Sequence, residues 1–137
     1  MRRAPGKSIA TAERQPSVSS SRRRSERMGR AAEWLASGLL MLKGYRVLAR
    51  RARTPFGEID LIAKRGRRIA FVEVKFRPSL SAAETSVRPG QAGRIAKASE
   101  HWLWRHSDLR SHEIGLDCIY VAPWRLPRHA YNALQPL

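Results

Sequence analysis

Gly57-Glu58-Ile59-Asp60-Leu61-Ile62-Ala63, the basic turn Lys64-Arg65-Gly66-Arg67-Arg68, and Ile69-Ala70-Phe71-Val72-Glu73-Val74-Lys75-Phe76 together read as two β-strands joined as a hairpin. Three acids and a lysine interrupt segments that are otherwise apolar and β-branched. Charge buried in a strand is costly unless it is paired or bound to a metal. The chain carries a formal net charge of +16, so it does not need these acids for solubility. Their placement calls for a chemical reason.

Strand side chains alternate between faces. In Ile69–Phe76, residues Ile69, Phe71, Glu73 and Lys75 share one face, and Ala70, Val72, Val74 and Phe76 share the other. Glu73 and Lys75 then lie about 7 Å apart along the strand. If residues 65–68 form the loop, Ala63 pairs with Ala70 and Asp60 falls opposite Glu73, with Cβ atoms roughly 5 Å apart. A slip of one residue would move Asp60 to the face of Val72. Two opposed carboxylates repel, and burial raises the pKa of at least one unless a cation sits between them. Mg²⁺ or Mn²⁺ resolves this, because such ions take oxygen ligands, one or two of them protein carboxylates, with water and phosphate completing the shell. Lys75 is placed to orient a water or hold a phosphate. On a solvated face the same acid-x-Lys pattern is only a weak ion pair.

Outward from the hairpin, Trp34, Leu35, Leu39 and Leu42 repeat at helical spacing, which predicts a helix over 27–43 closed by Gly44. Tyr45–Ala49 reads as a first strand, and Arg50–Pro55 as a basic exit from it. A loop over 79–90 leads to a second helix from Gln91 to about His106, with glycines at 90 and 93 weakening its start. Glu113–Val121 reads as a further strand, followed by a short Pro-containing tail. The order of elements predicts an α/β domain, a mixed sheet flanked by helices, over 27–137.

Residues 1–26 are rich in Arg, Ser, Ala and Pro and have almost no large apolar side chains, which predicts a disordered basic tail. Its composition also suits an organellar transit peptide, and Met28 offers an alternative start. With the first 30 residues set aside, 18 Lys/Arg still face nine Asp/Glu. The fold is basic in its own right, and the expected partner is a polyanion, DNA above all. The single cysteine, Cys118, cannot form an internal disulfide, which fits a reducing cytoplasm. No apolar run is long enough to span a bilayer, so no membrane partner is expected. The four histidines show no zinc-like spacing with each other or with Cys118.

Arg50, Arg51, Arg53, Arg65, Arg67 and Arg77 crowd the segments around the acids and read as a rim that tracks phosphates. A solvated charged surface is the plainer reading. Glu58 shares a strand face with Asp60, as an outer ligand or as a flank. Asp117, in an apolar strand, suits a structural hydrogen-bonding role as well as a functional one.

With Gly57–Ala63 and Phe71–Arg77 in view, the chain resembles the YraN-like family (uncharacterised protein family 0102). These small bacterial proteins are related to the restriction-endonuclease-like, or PD-(D/E)XK, nucleases and to archaeal Holliday-junction resolvases. Further matches are Glu33 before Leu39-Leu40 and Gly44, Gln91 and Arg94 at the second helix, Leu116-Asp117, and His129 with Asn132-Ala133. The resemblance covers about residues 29–134. It implies a restriction-endonuclease-like fold with a central mixed β-sheet. It also implies that Asp60, Glu73 and the carbonyl of Val74 hold the metal, that Lys75 is the catalytic lysine, and that Glu33 and Gln91 complete the site. The expected activity is Mg²⁺- or Mn²⁺-dependent cleavage of DNA, branched DNA included. The competing expectation is a non-catalytic nucleic-acid-binding module on the same fold; a protein-interaction or ribosome-associated role is a third. Symmetric cutting of a junction would require a homodimer, for which the sequence shows no seam.

Overall fold

The computed structural model describes residues 18–77 and 90–135. The N-terminal part of the basic tail, most of the 79–90 loop and the last two residues lie outside them. In chain order the elements are α1 (Val18–Leu42), β1 (Arg46–Thr54), β2 (Gly57–Arg65), β3 (Arg68–Phe76), α2 (Gln91–Trp104), a 3-10 turn (Ser107–Leu109), β4 (Glu113–Val121) and β5 (Arg128–Ala130). The strands form one sheet in the order β1-β2-β3-β4-β5. Only β3 and β4 are parallel, so the sheet is mixed. The chain is therefore a mixed α/β protein with a five-stranded sheet.

Helix α1 begins at Val18, ahead of Arg27, where the apolar repeat alone would start it. No Gly or Pro lies between Val18 and Met28, and arginine is a good helix former, so helix nucleated downstream extends through this stretch. At the other end, left-handed Gly44 (φ +88°) stops it. Tyr45 N–H bonds the carbonyl of Leu40 and Gly44 N–H that of Met41, the paired bonds of a Schellman cap. Leu40 and Tyr45 are buried together, which supplies the cap's apolar contact. The chain then leaves directly into β1.

β1 is longer than its apolar start suggests. Arg50–Thr54, read from the sequence as an exit loop, continues the strand and pairs with Gly57–Leu61 of β2. Arg50, Arg51 and Arg53 are all exposed, and arginines on an edge strand discourage further pairing. The ladder shifts register between Val47 and Ala49, and Arg51 adopts φ +49°. The β2–β3 hairpin has the predicted register, Ala63 opposite Ala70, but Arg65 and Arg68 themselves pair, leaving a two-residue turn. Gly66, first in that turn, has φ +58°, as a type II′ turn requires.

Each face of the sheet is covered by one helix. Ala32, Ala36 and Leu40 of α1 pack on Leu61, Ala63, Ala70, Val72, Ile119 and Val121. Ile95, Ala98 and Trp102 of α2 pack on Ile59, Ile62, Ile69, Phe71, Leu116 and Cys118. Covered on both faces, β3 and β4 read as nearly continuous apolar runs. Leu134, in the segment after β5, is fully buried in the α2-side core. Neither β5 nor this closure was evident in the Pro-containing tail. No helix of the described residues is long and apolar enough to cross a membrane.

Candidate functional site

The β2–β3 ladder ends at Leu61 opposite Val72, whereas the β3–β4 ladder continues to Phe76 opposite Val121. The first residues of β2 stay with β1 instead, Ile59 opposite Ala52 and Glu58 opposite Arg53. The sheet therefore splits between β2 and β3, leaving one edge of residues 73–76 unpaired by a strand. Asp60, Glu73 and Lys75 stand at this split. Asp60 Oδ2 accepts the Val74 backbone N–H at 2.8 Å, supplying one partner that the ladder no longer gives. The parity of β2 changes here: Ile59 and Ile62, three residues apart, are both in the α2-side core, and Leu61 and Ala63 are in the other.

Glu73 is buried, being 8% exposed, and Asp60 is half-buried. Burial first, then the neighbouring charge of Glu73, pushes the Asp60 carboxyl up to about 7, and the Val74 N–H opposes this only in part. Glu33 and Glu58 raise it further. Burial also raises the Glu73 carboxyl, against the pull of Arg94 and Lys75. Gln91 Nε2 approaches Glu73 Oε1 at 3.4 Å, and Arg94 Nη2 donates to Oε2 at 3.2 Å. The Gln91 Oε1 atom is buried without a hydrogen-bond partner. Helix α2 starts at Gln91 despite its flanking glycines, so Gln91 and Arg94, one turn apart, both reach the split.

On the α1 side, Glu33 is ion-paired with Arg51 at 2.9 Å, which raises the Arg51 pKa. These two residues, with Gly29, Arg30 and Glu58, line a cleft of about 310 Å³. The structure thus draws Glu33, Asp60, Glu73, Lys75 and Gln91 toward one end of the sheet. Arg94 was visible only as a match at the start of α2; its contact with Glu73 was not. The signal was there in Gln91-x-x-Arg94, a spacing that puts both side chains on one helix face.

The arginine rim divides. Arg53 flanks Glu58 across β1–β2, and Arg77 follows the site, with Nη1 on the Phe76 carbonyl at 2.7 Å. Arg65 and Arg67 instead lie at the β2–β3 turn, about 17 Å from Asp60 at ~3.4 Å per strand residue. Arg65 there donates to the Lys43 carbonyl and stacks on Tyr45. Arg50 lies over the Trp34 ring and bonds Ser37.

A second polar cluster surrounds Asp117, which is fully buried. Arg68 donates to both carboxylate oxygens at 2.8 Å, His129 Nε2 lies 2.7 Å from Oδ2, and Asn132 N–H donates to Oδ1 at 2.8 Å. Burial opposes the charge, but the bonds from His129 and Arg68 hold the carboxyl down at about 2. Lys43 Nζ is 2.7 Å from His129 Nδ1; since an ammonium only donates, Nδ1 accepts and Nε2–H points at Asp117. This network joins the end of α1, the β2–β3 hairpin and the C-terminal segment, so its role is structural. Cys118 is likewise a core residue, its thiol pushed by burial to about 11.

Among the described residues, no three or more His, Cys, Asp and Glu converge as a metal-holding group. The ligands implied by the resemblance are instead two carboxylates and one backbone carbonyl.

Fold and site define a small mixed α/β protein with a pair of carboxylates, one buried and one half-buried, and a lysine where its sheet splits. The chain belongs to the uncharacterised protein family UPF0102, whose sequence model matches residues 32–121. It is 50% identical to a UPF0102 protein of Mesorhizobium japonicum over 115 residues, 84% of this chain and 92% of the relative. A UPF0102 protein of Bradyrhizobium sp. (strain ORS 278) is 51% identical over 107 residues, 78% of this chain and 76% of that one. One of Maricaulis maris is 45% identical over 115 residues, covering 84% and 91%.

Proposed function

We propose that this chain is a metal-dependent nuclease of the restriction-endonuclease-like class, acting on DNA. The observation that carries the reading is buried Glu73 with half-buried Asp60, both with raised carboxyl pKa values, beside Lys75 at the unpaired edge of β3. Two close carboxylates repel, and Arg94 ion-pairs with Glu73 alone, which leaves the Asp60 charge uncompensated. The donor set fits Mg²⁺ or Mn²⁺: it is all oxygen, and the orphaned Gln91 Oε1 would accept a hydrogen bond from a water. Asp60, Glu73 and the Val74 carbonyl would hold the ion. It would supply Lewis acidity toward a phosphoryl oxygen and acidify a bound water. Lys75 orients the attacking water or neutralises the phosphate, Gln91 holds Glu73 in place, and Glu33 sets the field on Asp60. Basic charge over the whole fold brings the polyanion in.

The test is cleavage of labelled single-stranded, duplex and branched DNA in Mg²⁺ or Mn²⁺. Wild type should cut, and Asp60→Ala and Lys75→Ala should each lose at least about 100-fold, with folding intact. Cleavage that persists in both variants overturns the assignment.

One observation favours a second reading, a binding module without turnover. Two of the acids already have protein counter-ions, Glu73 with Arg94 and Glu33 with Arg51. On that reading, nucleic-acid binding is steeply salt-dependent and survives Asp60→Asn and Glu73→Gln.

A further inference from the structure

Arg94 stands at the one carboxylate of the acidic pair that has a protein cation. Its Nη2 donates to Glu73 Oε2 and its Nη1 to the Glu58 carbonyl, both at 3.2 Å. Room for it depends on Gly57: a Cβ there would lie 2.5 Å from Nη1, and φ is +121°. Three elements, α2, β2 and β3, therefore place one guanidinium against the acids. The placement is loose. Charge-assisted bonds of this kind usually measure about 2.7–2.9 Å, and the Arg94 side chain is 34% exposed. The pairing is also a single N–H to each acceptor, not the two-pronged fork that Arg68 makes with Asp117. Such a contact can be exchanged for another without taking the fold apart. The neighbouring Gln91 leaves an oxygen buried and unpartnered at the same carboxylate, so this corner is incomplete with Arg94 alone.

We propose that Arg94 is a built-in counter-ion that competes with the metal for Glu73 and, once displaced, binds a backbone phosphate of the nucleic acid. The inference rests on the metal-site reading above. Its consequence is coupling. If phosphate draws the guanidinium off Glu73, the polyanion opens the carboxylate to metal, and by reciprocity metal tightens the polyanion. The metal-free protein then keeps Glu73 neutralised until substrate is present.

Mn²⁺ is titrated calorimetrically into the full-length chain, comparing wild type, Arg94→Ala, Arg94→Gln and Glu73→Gln, with folding checked by circular dichroism. In parallel, binding of a labelled single-stranded oligonucleotide is followed by anisotropy in EDTA and in Ca²⁺ at constant ionic strength. Removal of the competing charge should tighten Mn²⁺ about tenfold in both Arg94 variants, the scale of one charge-assisted hydrogen bond. Glu73→Gln should lose Mn²⁺. Ca²⁺ should tighten the oligonucleotide in wild type, and this gain should shrink in the Arg94 variants. Arg94→Gln removes the charge and keeps a polar side chain at the start of α2, so it reports on charge even if the alanine variant does not fold. Equal Mn²⁺ affinity in wild type and the Arg94 variants, with Glu73→Gln defective, overturns the role of Arg94 and leaves the metal site standing. Failure of every protein to bind Mn²⁺ at millimolar concentration overturns the metal site and Arg94's role with it.

Discussion

Asp60 Oδ2 takes the backbone N–H of Val74 at 2.8 Å, one residue past Glu73, where β2 leaves β3. The carboxylate stands in for a strand partner and is fixed in place by that bond. It is also pressed toward Glu73, so the position that fixes Asp60 is the one that makes its charge unfavourable.

The first prediction concerns pH. The Asp60 carboxyl lies near 7 in the fold against about 4 in an unfolded chain. A raised carboxyl pKa means that the unfolded state ionises first, so stability falls as pH rises from about 4 to about 7 and is level above that. Asp60→Asn keeps an acceptor for Val74 and removes the charge. In metal-free buffer at pH 8 it should be more stable than wild type by roughly 1–2 kcal/mol, a Tm rise of about 5–10 °C, and at pH 4 the two should melt together. Melting curves across pH check this; an equal offset at both pH values would count against the burial argument. Mg²⁺ at pH 8 should raise the wild-type Tm and leave Asp60→Asn nearly unmoved.

Asp117 behaves in the opposite sense. Its carboxyl is held at about 2, below the ordinary value, so it stabilises the fold above about pH 4 and that contribution is lost as pH falls toward 2. Asp117→Asn would leave Arg68, with 13% of its side chain exposed, without its partner charge. The expected loss is about 3 kcal/mol, a Tm lower by more than roughly 10 °C at pH 7. Replacing both residues, Arg68→Met with Asp117→Asn, should cost less than the sum of the single changes, because no unpaired charge remains. Chemical denaturation of the four proteins measures that coupling.

Much of this arrangement was legible in the residues, and the parts that were not have physical causes. The register of the hairpin follows from Ala63 facing Ala70, and it holds for a two-residue or a four-residue loop because both are symmetric about Gly66-Arg67. Extrapolating that register puts Asp60 level with Glu73, but alternation cannot show that the ladder stops at Leu61–Val72. That stop depends on β1 and α2, which are distant in sequence. Arg50–Thr54 looked like a loop because an edge strand needs no apolar alternation. Whether Asp117 was structural or functional could not be decided until Arg68, His129 and Asn132 were seen around it, 49, 12 and 15 residues away.

Gly57→Ala tests the packing behind the acids. The added methyl meets Arg94 Nη1, and φ +121° is strained for any L side chain. A loss of about 1–3 kcal/mol in denaturant unfolding is expected. An Arg94→Ala background should relieve the contact and leave the backbone strain, so the same substitution should cost less there. If it costs the same in both backgrounds, Arg94 is not what occupies that space in solution.

The last prediction separates the arginines. Arg50, Arg51 and Arg65 are engaged within the protein, with Trp34 and Ser37, with Glu33, and with Lys43 and Tyr45 respectively. Arg53 and Arg67 are exposed and show no side-chain partner among the described residues. Arg53 lies beside Glu58 near the start of β2 and Arg67 just past its end, a separation of about 24 Å that spans about seven nucleotides at ~3.4 Å per strand residue and per phosphate on one strand of a duplex. If nucleic acid lies along the hairpin, both contact backbone. Arg53→Ala with Arg67→Ala should weaken binding evenly across sequences and lower the slope of log K against log salt by about 2. Arg65→Ala should lower the Tm by a few degrees through loss of its Lys43 and Tyr45 contacts, and change the slope less. Anisotropy titrations from low to moderate salt give both quantities. A slope unchanged in the Arg53/Arg67 double variant would overturn the path along the hairpin.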